Sequence, residues 1–321
     1  MNMIREEYYA KDMDTIVIPY LKERKLSGNF ERAAGQRIHY RCYAADEPRA
    51  QLVLMHGFTE GIDKFNEVVY YFLQEGFQVW QIQQRGHGDS FREVSDPSLV
   101  HISSYLDLVE DLHYFVSEIV KKAGNQDLPL YLYGHSMGGG VSAVYLETWP
   151  DDFRKAVLSS PMLELNSGPI PLWAASLYAK VMILLGKGAN YMPGNQPFRA
   201  EPDFENSCSN CRPRYDYWFH QTVEQTKYQT CASSIQTARQ FLKLTKYATS
   251  PKNCAKVQAD VLLVQAGKDT MVNPGGQETF LRQIGSHGRL FRMDHAKHEI
   301  YLGTDADLQV YWKEVLGFLK G

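Results

Sequence analysis

Excess charge is the first thing the sequence lacks. Asp plus Glu number 37 against 34 Lys plus Arg, a net charge of −3, which argues against nucleic acid as the main partner. Cysteine is sparse, with five in 321 residues. An odd count in a chain of this length points to free thiols in a reducing, cytoplasmic setting and not to a disulfide framework. No stretch reaches the roughly 20 apolar residues of a membrane span. Met1–Tyr20 carries charges throughout and has no apolar run, so no secretory signal is expected. Cys208-x2-Cys211 is a metal-like spacing, but a structural zinc site usually adds a second Cys-x2-Cys or a His-x3-5-His, and that second pair is missing. No metal is therefore expected, and the free-thiol reading takes its place. Internal repeats and low-complexity runs are absent too.

What is present is an alternation of strands and helices. Phe30–Ala44 reads as a hairpin around Gly35-Gln36. Gln51–Met55 is a short apolar strand running into His56-Gly57-Phe58. Phe65, Val68, Val69 and Phe72 then fall at helical spacing within Asp63–Gln74. Phe77–Ile82 is a strand ending in the glycine turn Arg85-Gly86-His87-Gly88-Asp89-Ser90. Ser104–Lys122 is a long amphipathic helix. Strands at Leu130–Tyr133 and Lys155–Ser159 flank a helix at Val141–Thr148. This rhythm predicts a mostly parallel central sheet with helices on both faces.

The rhythm breaks at Pro161 and resumes with a strand at Asp260–Gln265. A helix at Gly276–Ile284, a strand at Arg289–Arg292 and a closing helix at Asp307–Leu319 follow. A chain of this length exceeds the usual single core, so one large domain with an insertion is expected. Residues 1–160 and 255–321 form the core, and residues 161–254 form an inserted, mainly helical cap. Within the cap, Pro169–Pro171 starts a helix and Gly186 ends it. Between them the residues are apolar almost all round, with Ser176 and Lys180 as the polar stripe. The segment is too short to span a bilayer. It either buries against the core or lines an acyl pocket through Leu177 and Val181, with a tip touching a membrane surface.

Gly134-His135-Ser136-Met137-Gly138 is a G-x-S-x-G elbow between an apolar strand and a helix, the context in which that motif carries a nucleophile. Serine is a poor nucleophile at neutral pH and needs a base, which in turn needs an orienting carboxylate. Asp269 follows the strand Val261–Gln265, where the acid belongs. His298 follows the next strand and is the expected base; His295, three residues nearer the strand, is the alternative. The oxyanion donors expected are the backbone N–H groups of Met137, after the nucleophile, and Phe58, after the His-Gly strand. His56, His87 and His135 read as structural histidines in tight glycine turns.

Taken together, His56-Gly57-Phe58, Arg85-Gly86-His87-Gly88-Asp89-Ser90, Gly134–Gly139, Gly267-Lys268-Asp269 and Ala296-Lys297-His298-Glu299-Ile300 resemble the α/β-hydrolases of the lysophospholipase L2 and monoacylglycerol lipase group. The resemblance runs from about residue 30 to the end, and the last motif looks closest to the bacterial lysophospholipase L2 branch. It implies an α/β-hydrolase fold with Ser136, Asp269 and His298 as the triad. It also implies Phe58 and Met137 as oxyanion donors, and no cofactor. Gln84 departs from the pattern, since relatives often carry Asp there. The implied reaction is hydrolysis of a lysophospholipid acyl ester through an acyl-enzyme, with a lipid-like substrate and peripheral contact with the inner membrane. Monoacylglycerol lipase and general carboxylesterase are the neighbouring readings. A proline iminopeptidase-type peptidase would use cap acids such as Glu201, Asp203 and Glu205 for a substrate amine. A non-catalytic binder is the remaining class, against which the ordered Ser, Asp and His stand.

Overall fold

The computed structural model describes every residue of the chain except Pro169. Its strands are β1 (Lys25–Glu31), β2 (Arg37–Tyr43), β3 (Ala50–Met55), β4 (Phe77–Ile82), β5 (Leu99–Val100), β6 (Leu130–His135), β7 (Lys155–Ser159), β8 (Ala232–Ser233), β9 (Asp260–Ala266) and β10 (Gly288–Met293). Eight of them form one sheet in the order β1-β2-β4-β3-β6-β7-β9-β10. All neighbours from β4 to β10 run parallel, and the β1–β2 hairpin is antiparallel at one edge. This is the mostly parallel sheet expected from the alternation, in the α/β-hydrolase arrangement that the resemblance implies.

The strand residues split by parity between the two faces, as the period of two requires. Val53, Met55, Leu132, Leu158 and Leu263 join one buried cluster, while Leu52, Leu54, Tyr133, Val157 and Leu262 join the other. The elbow helix Met137–Thr148 and the helix Pro274–Ile284 cover the first face, and Asn66–Gln74 and Asp305–Lys320 cover the second. With both faces covered, the central strands are apolar throughout; every residue of β3 is buried.

Some boundaries differ from the sequence reading. The hairpin starts five residues early, at Lys25, because only Phe30 in β1 is buried and the strand leaves no alternating pattern to read. The long helix expected over Ser104–Lys122 runs from Tyr105 to Ala123 with a π-helical stretch at Phe115–Val120. The N-terminal stretch folds into helical turns over Glu6–Arg24. Tyr9, Met13, Val17 and Leu21, each four residues after the last, bury against the second face.

The segment expected to form the cap lies between β7 and β9 and contains the helices Leu172–Leu184, Arg212–Glu224 and Ile235–Ala248. β8 pairs with β5 and pins the cap to the core. Arg214, wholly buried, ion-pairs with Glu67 at 2.9 Å and Asp305 at 3.1 Å and donates to the Ile4 and Gly303 carbonyls. One guanidinium thus joins the cap, the core and the N-terminal segment through a fork of donors that a lysine lacks. The segment Cys208–Asn210 crosses the loop after β10: the Glu299 N–H donates to the Cys208 carbonyl at 2.9 Å, and the Asn210 amide donates to the His295 carbonyl at 2.8 Å.

The helix expected between Pro169–Pro171 and Gly186 spans Leu172–Leu184, with Pro171 before it and Gly186 at φ 75° just beyond; Pro169 lies outside the described residues. It buries Ala179 alone. Trp173, Leu177, Val181 and Leu184 stand 73%, 55%, 45% and 78% exposed, so Leu177 and Val181 face solvent and do not form an enclosed pocket wall. Helical spacing showed that this segment is apolar nearly all round, but it could not show which flank meets the core. Among the described residues, no helix is long and apolar enough to cross a membrane.

Candidate active site

Four loops at the C-terminal ends of neighbouring parallel strands build the site, where open α/β sheets place their chemistry. Ser136 follows β6, Phe58 follows β3 beside it, Asp269 follows β9, and His298 follows β10. Ser136 sits at φ 51°, ψ −118°, a backbone region an L-residue enters only under constraint. The constraint is visible: the Ser136 N–H donates to the Ser159 carbonyl at 3.1 Å, and the Ser136 carbonyl accepts from Met162 at 2.8 Å. The two elbow glycines are needed for space. A Cβ on Gly138 would fall 2.5 Å from the Met55 and His56 carbonyls, and one on Gly134 would fall 2.6 Å from Ser142 Oγ.

Three side chains form a hydrogen-bonded chain. Ser136 Oγ lies 2.8 Å from His298 Nε2, and His298 Nδ1 lies 2.7 Å from Asp269 Oδ2. The other carboxylate oxygen, Oδ1, accepts from the Met271 N–H at 2.8 Å and the Val272 N–H at 3.0 Å. Burial alone would raise the Asp269 carboxyl. The His298 hydrogen bond and charge, with the two backbone N–H groups, outweigh it and hold Asp269 below the ordinary carboxylate range. His298 is buried, while His295 is exposed with its carbonyl bound to the cap. The ordered arrangement can take a proton from the serine and hold the imidazolium that forms.

Met137 opens the elbow helix, so its N–H is one of the first-turn donors without an intrahelical acceptor. The Phe58 N–H belongs to a peptide oriented from behind. His56 Nδ1 donates to the Gly57 carbonyl at 2.8 Å, while His56 Nε2 accepts from the Gln84 N–H at 3.0 Å. In a trans peptide the N–H points opposite to the carbonyl, so the Phe58 N–H points away from His56. Burial pushes the His56 pKa down to about 4 and keeps the ring neutral, as its acceptor nitrogen requires. The Gln84 amide donates to the His56 carbonyl, a bond that a carboxylate at this position would not supply.

A second buried pair lies beneath the triad. Glu60 accepts from His135 Nδ1, the Tyr301 hydroxyl and the Gly57 N–H, while His135 Nε2 lies 3.3 Å from the His298 carbonyl. Burial would depress the His135 ring, but the Glu60 charge and hydrogen bond push its pKa up. Burial would likewise raise Glu60, and His135 holds it well below the usual carboxylate range. His135 reads as structural from the sequence. Glu60 carries no signal there, because it is one polar residue in a loop. Phe241, on the cap helix Ile235–Ala248, packs edge-on against Phe58 with centroids 5.3 Å apart. Its spacing with Leu244 and Ala248 marks a buried face, but not the partner that face meets.

Leu177 and Val181 are not part of this constellation. Glu201, Asp203 and Glu205 are exposed, and the Asp203 carboxylate is bound by Asn206. All five thiols are free.

Residues 46–305 match the family described as serine aminopeptidase, S33. A probable lysophospholipase L2 of Haemophilus influenzae is 25% identical over 324 residues, covering 99% of each chain. A monoacylglycerol lipase of Mycolicibacterium smegmatis is 32% identical over 161 residues, 50% of this chain and 54% of that one. Among solved structures, a soluble variant of monoglyceride lipase from Saccharomyces cerevisiae in complex with a substrate analog superposes with a TM-score of 0.74 at 18% identity, over 92% of this chain and 94% of that one. The chain therefore belongs to the serine aminopeptidase, S33 family and is an α/β-hydrolase of the lysophospholipase L2 and monoacylglycerol lipase group.

Proposed function

We propose that this carboxylic ester hydrolase cleaves the acyl ester of lysophospholipids through an acyl-enzyme, with Ser136, His298 and Asp269 as the catalytic residues. The observation that carries the reading is the Ser136–His298–Asp269 chain, at 2.8 and 2.7 Å, on a strained elbow. His298 Nε2 takes the hydroxyl proton as Ser136 Oγ attacks the acyl carbonyl. Asp269 keeps the remaining proton on Nδ1 and stabilises the imidazolium. The negative oxygen of the tetrahedral intermediate accepts from the Phe58 and Met137 N–H groups. Collapse breaks the ester bond, and His298 returns the proton to the departing alcohol oxygen. Water then attacks the acyl carbonyl as His298 Nε2 takes its proton; collapse breaks the bond to Ser136 Oγ, His298 returns the proton to that oxygen, and the fatty acid leaves.

The full-length likeness to a probable lysophospholipase L2 supports the lysolipid substrate. The outward face of the cap supports contact with a lipid surface. Trp173, Leu177, Val181 and Leu184 form an exposed apolar stripe. Between Glu164 and Glu201 the chain has no acidic residue, and Lys180, Lys187 and Arg199 are cationic. Such a face suits peripheral binding to an anionic bilayer and supports the reading of an enzyme acting at the cytoplasmic side of the inner membrane. Leu177 and Val181 then meet acyl chains of the lipid aggregate. Monoacylglycerol hydrolysis is the second reading, favoured by the Mycolicibacterium relative. The peptidase reading loses the cap acids named for a substrate amine, since Glu201, Asp203 and Glu205 are solvent-exposed.

The test is a fluorophosphonate label on Ser136, followed by a panel of lysophosphatidyl lipids, monoacylglycerols, short nitrophenyl esters and aminoacyl amides. Highest efficiency on lysolipids supports the proposal. A preference for aminoacyl amides, or for esters of two to four carbons, overturns it.

A further inference from the structure

Thr59, next to the proposed oxyanion donor, has φ 59°, a region that β-branched residues rarely enter. Its surroundings hold it there. The Thr59 hydroxyl donates to the Phe58 carbonyl at 2.7 Å, and the Thr59 N–H donates to His87 Nε2 at 3.1 Å. His87 Nδ1 donates to the Arg85 carbonyl at 3.0 Å, which leaves Nε2 as the acceptor. The ring is fully buried, edge-on to His56 at 5.0 Å and to Phe58 at 6.1 Å. It comes from the Arg85–Ser90 turn after β4, the strand beside β3 in the sheet. Outside its own turn, its one hydrogen bond among the described residues goes to Thr59.

We infer that His87 is a positioning residue for the oxyanion hole. Through the Thr59 N–H it holds the Phe58–Thr59 peptide, the neighbour of the Gly57–Phe58 peptide that His56 orients, so that the Phe58 backbone is fixed on both sides and its N–H stays directed at the tetrahedral intermediate. The inference rests on the proposed role of Phe58. His56 and His87 share one pattern, Nδ1 donating to a backbone carbonyl and Nε2 accepting a backbone N–H: one nitrogen of each ring holds successive peptides of the loop after β3, at the Gly57 carbonyl and the Thr59 N–H, and the other binds the loop after β4, at the Gln84 N–H and the Arg85 carbonyl. Burial and the neighbouring His56 hold the His87 pKa well below its ordinary value, so the accepting lone pair persists at working pH. Strain of this kind persists only where the surroundings over-determine it, and His87 supplies one of the two bonds that do so.

The experiment compares His87→Asn with His87→Gln. Gln carries an amide oxygen out to the place of Nε2, whereas Asn falls short of it. Rates are expressed per Ser136 site labelled at the endpoint by a fluorophosphonate, so a misfolded fraction drops out. His87→Asn should lower kcat about a hundredfold with KM within about twofold, the signature of a lost transition-state interaction. Affinity for a tetrahedral alkylboronate should fall by a similar factor. His87→Gln should recover kcat to within about fivefold of wild type. A His87→Asn enzyme within about threefold of wild type, or equal losses in both variants, overturns the inference. Should His87→Asn yield no folded protein, His87→Gln decides alone: recovery supports the inference and a hundredfold loss of kcat overturns it. A wild-type enzyme that is not labelled at Ser136 overturns the hydrolytic reading and this inference with it. A labelled wild type with an unaffected His87→Asn overturns the inference alone.

Discussion

Replacing Asp269 with Asn keeps the shape of the side chain and reverses the protonation of His298. Asp269 Oδ1 accepts two backbone N–H groups, from Met271 at 2.8 Å and Val272 at 3.0 Å. An amide NH2 turned toward them would leave those N–H groups without an acceptor, at about 1–3 kcal/mol each. The Asn oxygen therefore stays with the loop, and its NH2 group faces His298 Nδ1, 2.7 Å away in the wild type. A donor there makes Nδ1 the acceptor and moves the ring proton to Nε2. Nε2 lies 2.8 Å from Ser136 Oγ, so it now donates to the hydroxyl and cannot take its proton. The loss from a wrong tautomer is about 10⁴ in kcat, or about 5 kcal/mol of barrier. The assay is hydrolysis of a monomeric nitrophenyl ester, per fluorophosphonate-labelled site. A kcat within about tenfold of wild type would refute the reasoning. Stability provides a second check. A carboxyl held below its unfolded range stabilises the fold above the unfolded pKa, and that stability is lost as pH falls through the folded pKa. The stability deficit of Asp269→Asn should therefore narrow on acidification.

The other predictions test separate parts of the molecule. His298→Ala should lose roughly as much activity as Ser136→Ala, whereas His295→Ala, on an exposed position, should retain most; the opposite result in the same ester assay would exchange their roles. Leu177→Glu should weaken binding to anionic vesicles and hydrolysis of aggregated lysolipid by about tenfold or more, because an exposed leucine placed in lipid contributes roughly 1.5–3 kcal/mol. It should spare a monomeric short ester, and an equal loss on both substrates would remove the interfacial role. Glu147 is buried in the elbow helix with one oxygen unpartnered, and burial raises its pKa from 4.5 to about 8. The unfolded chain thus ionises first, and this group reduces stability as pH climbs from about 4.5 to about 8. Glu147→Gln should gain on the order of 4 kcal/mol at pH 8 and less than about 1 kcal/mol at pH 5 in urea melts, and a pH-independent difference would contradict the assignment.

Much of this architecture can be read from local pattern. The central strands are covered on both faces, so they appear as continuous apolar runs; the sequence reading of Phe77–Ile82 and Lys155–Ser159 agrees with the structure residue for residue. Ser136 needs glycines on either side because carbonyls of β3 and its own helix pass within 3 Å of where a Cβ would be. That steric demand leaves a mark in the sequence itself. Asp269 and His298 could be named because each follows a strand end in the required order, and their mutual distance followed from the sheet. The N-terminal helical turns were equally open to reading, from apolar residues four apart, although charges between them mask the pattern.

The rest depends on what meets what across the chain. Local spacing shows that Leu172–Leu184 is apolar, but only the packing of the cap decides that Leu177 and Val181 point outward. The acceptor for the strained Thr59 N–H, the partner of the buried Glu60 and the anchor points of Arg214 lie 28, 75 and up to 210 residues away. Nothing in a local window records such pairings. Periodicity and steric need act over a few neighbours and so are written along the chain. Buried polar partners are chosen by desolvation, which acts only once the tertiary fold has excluded water.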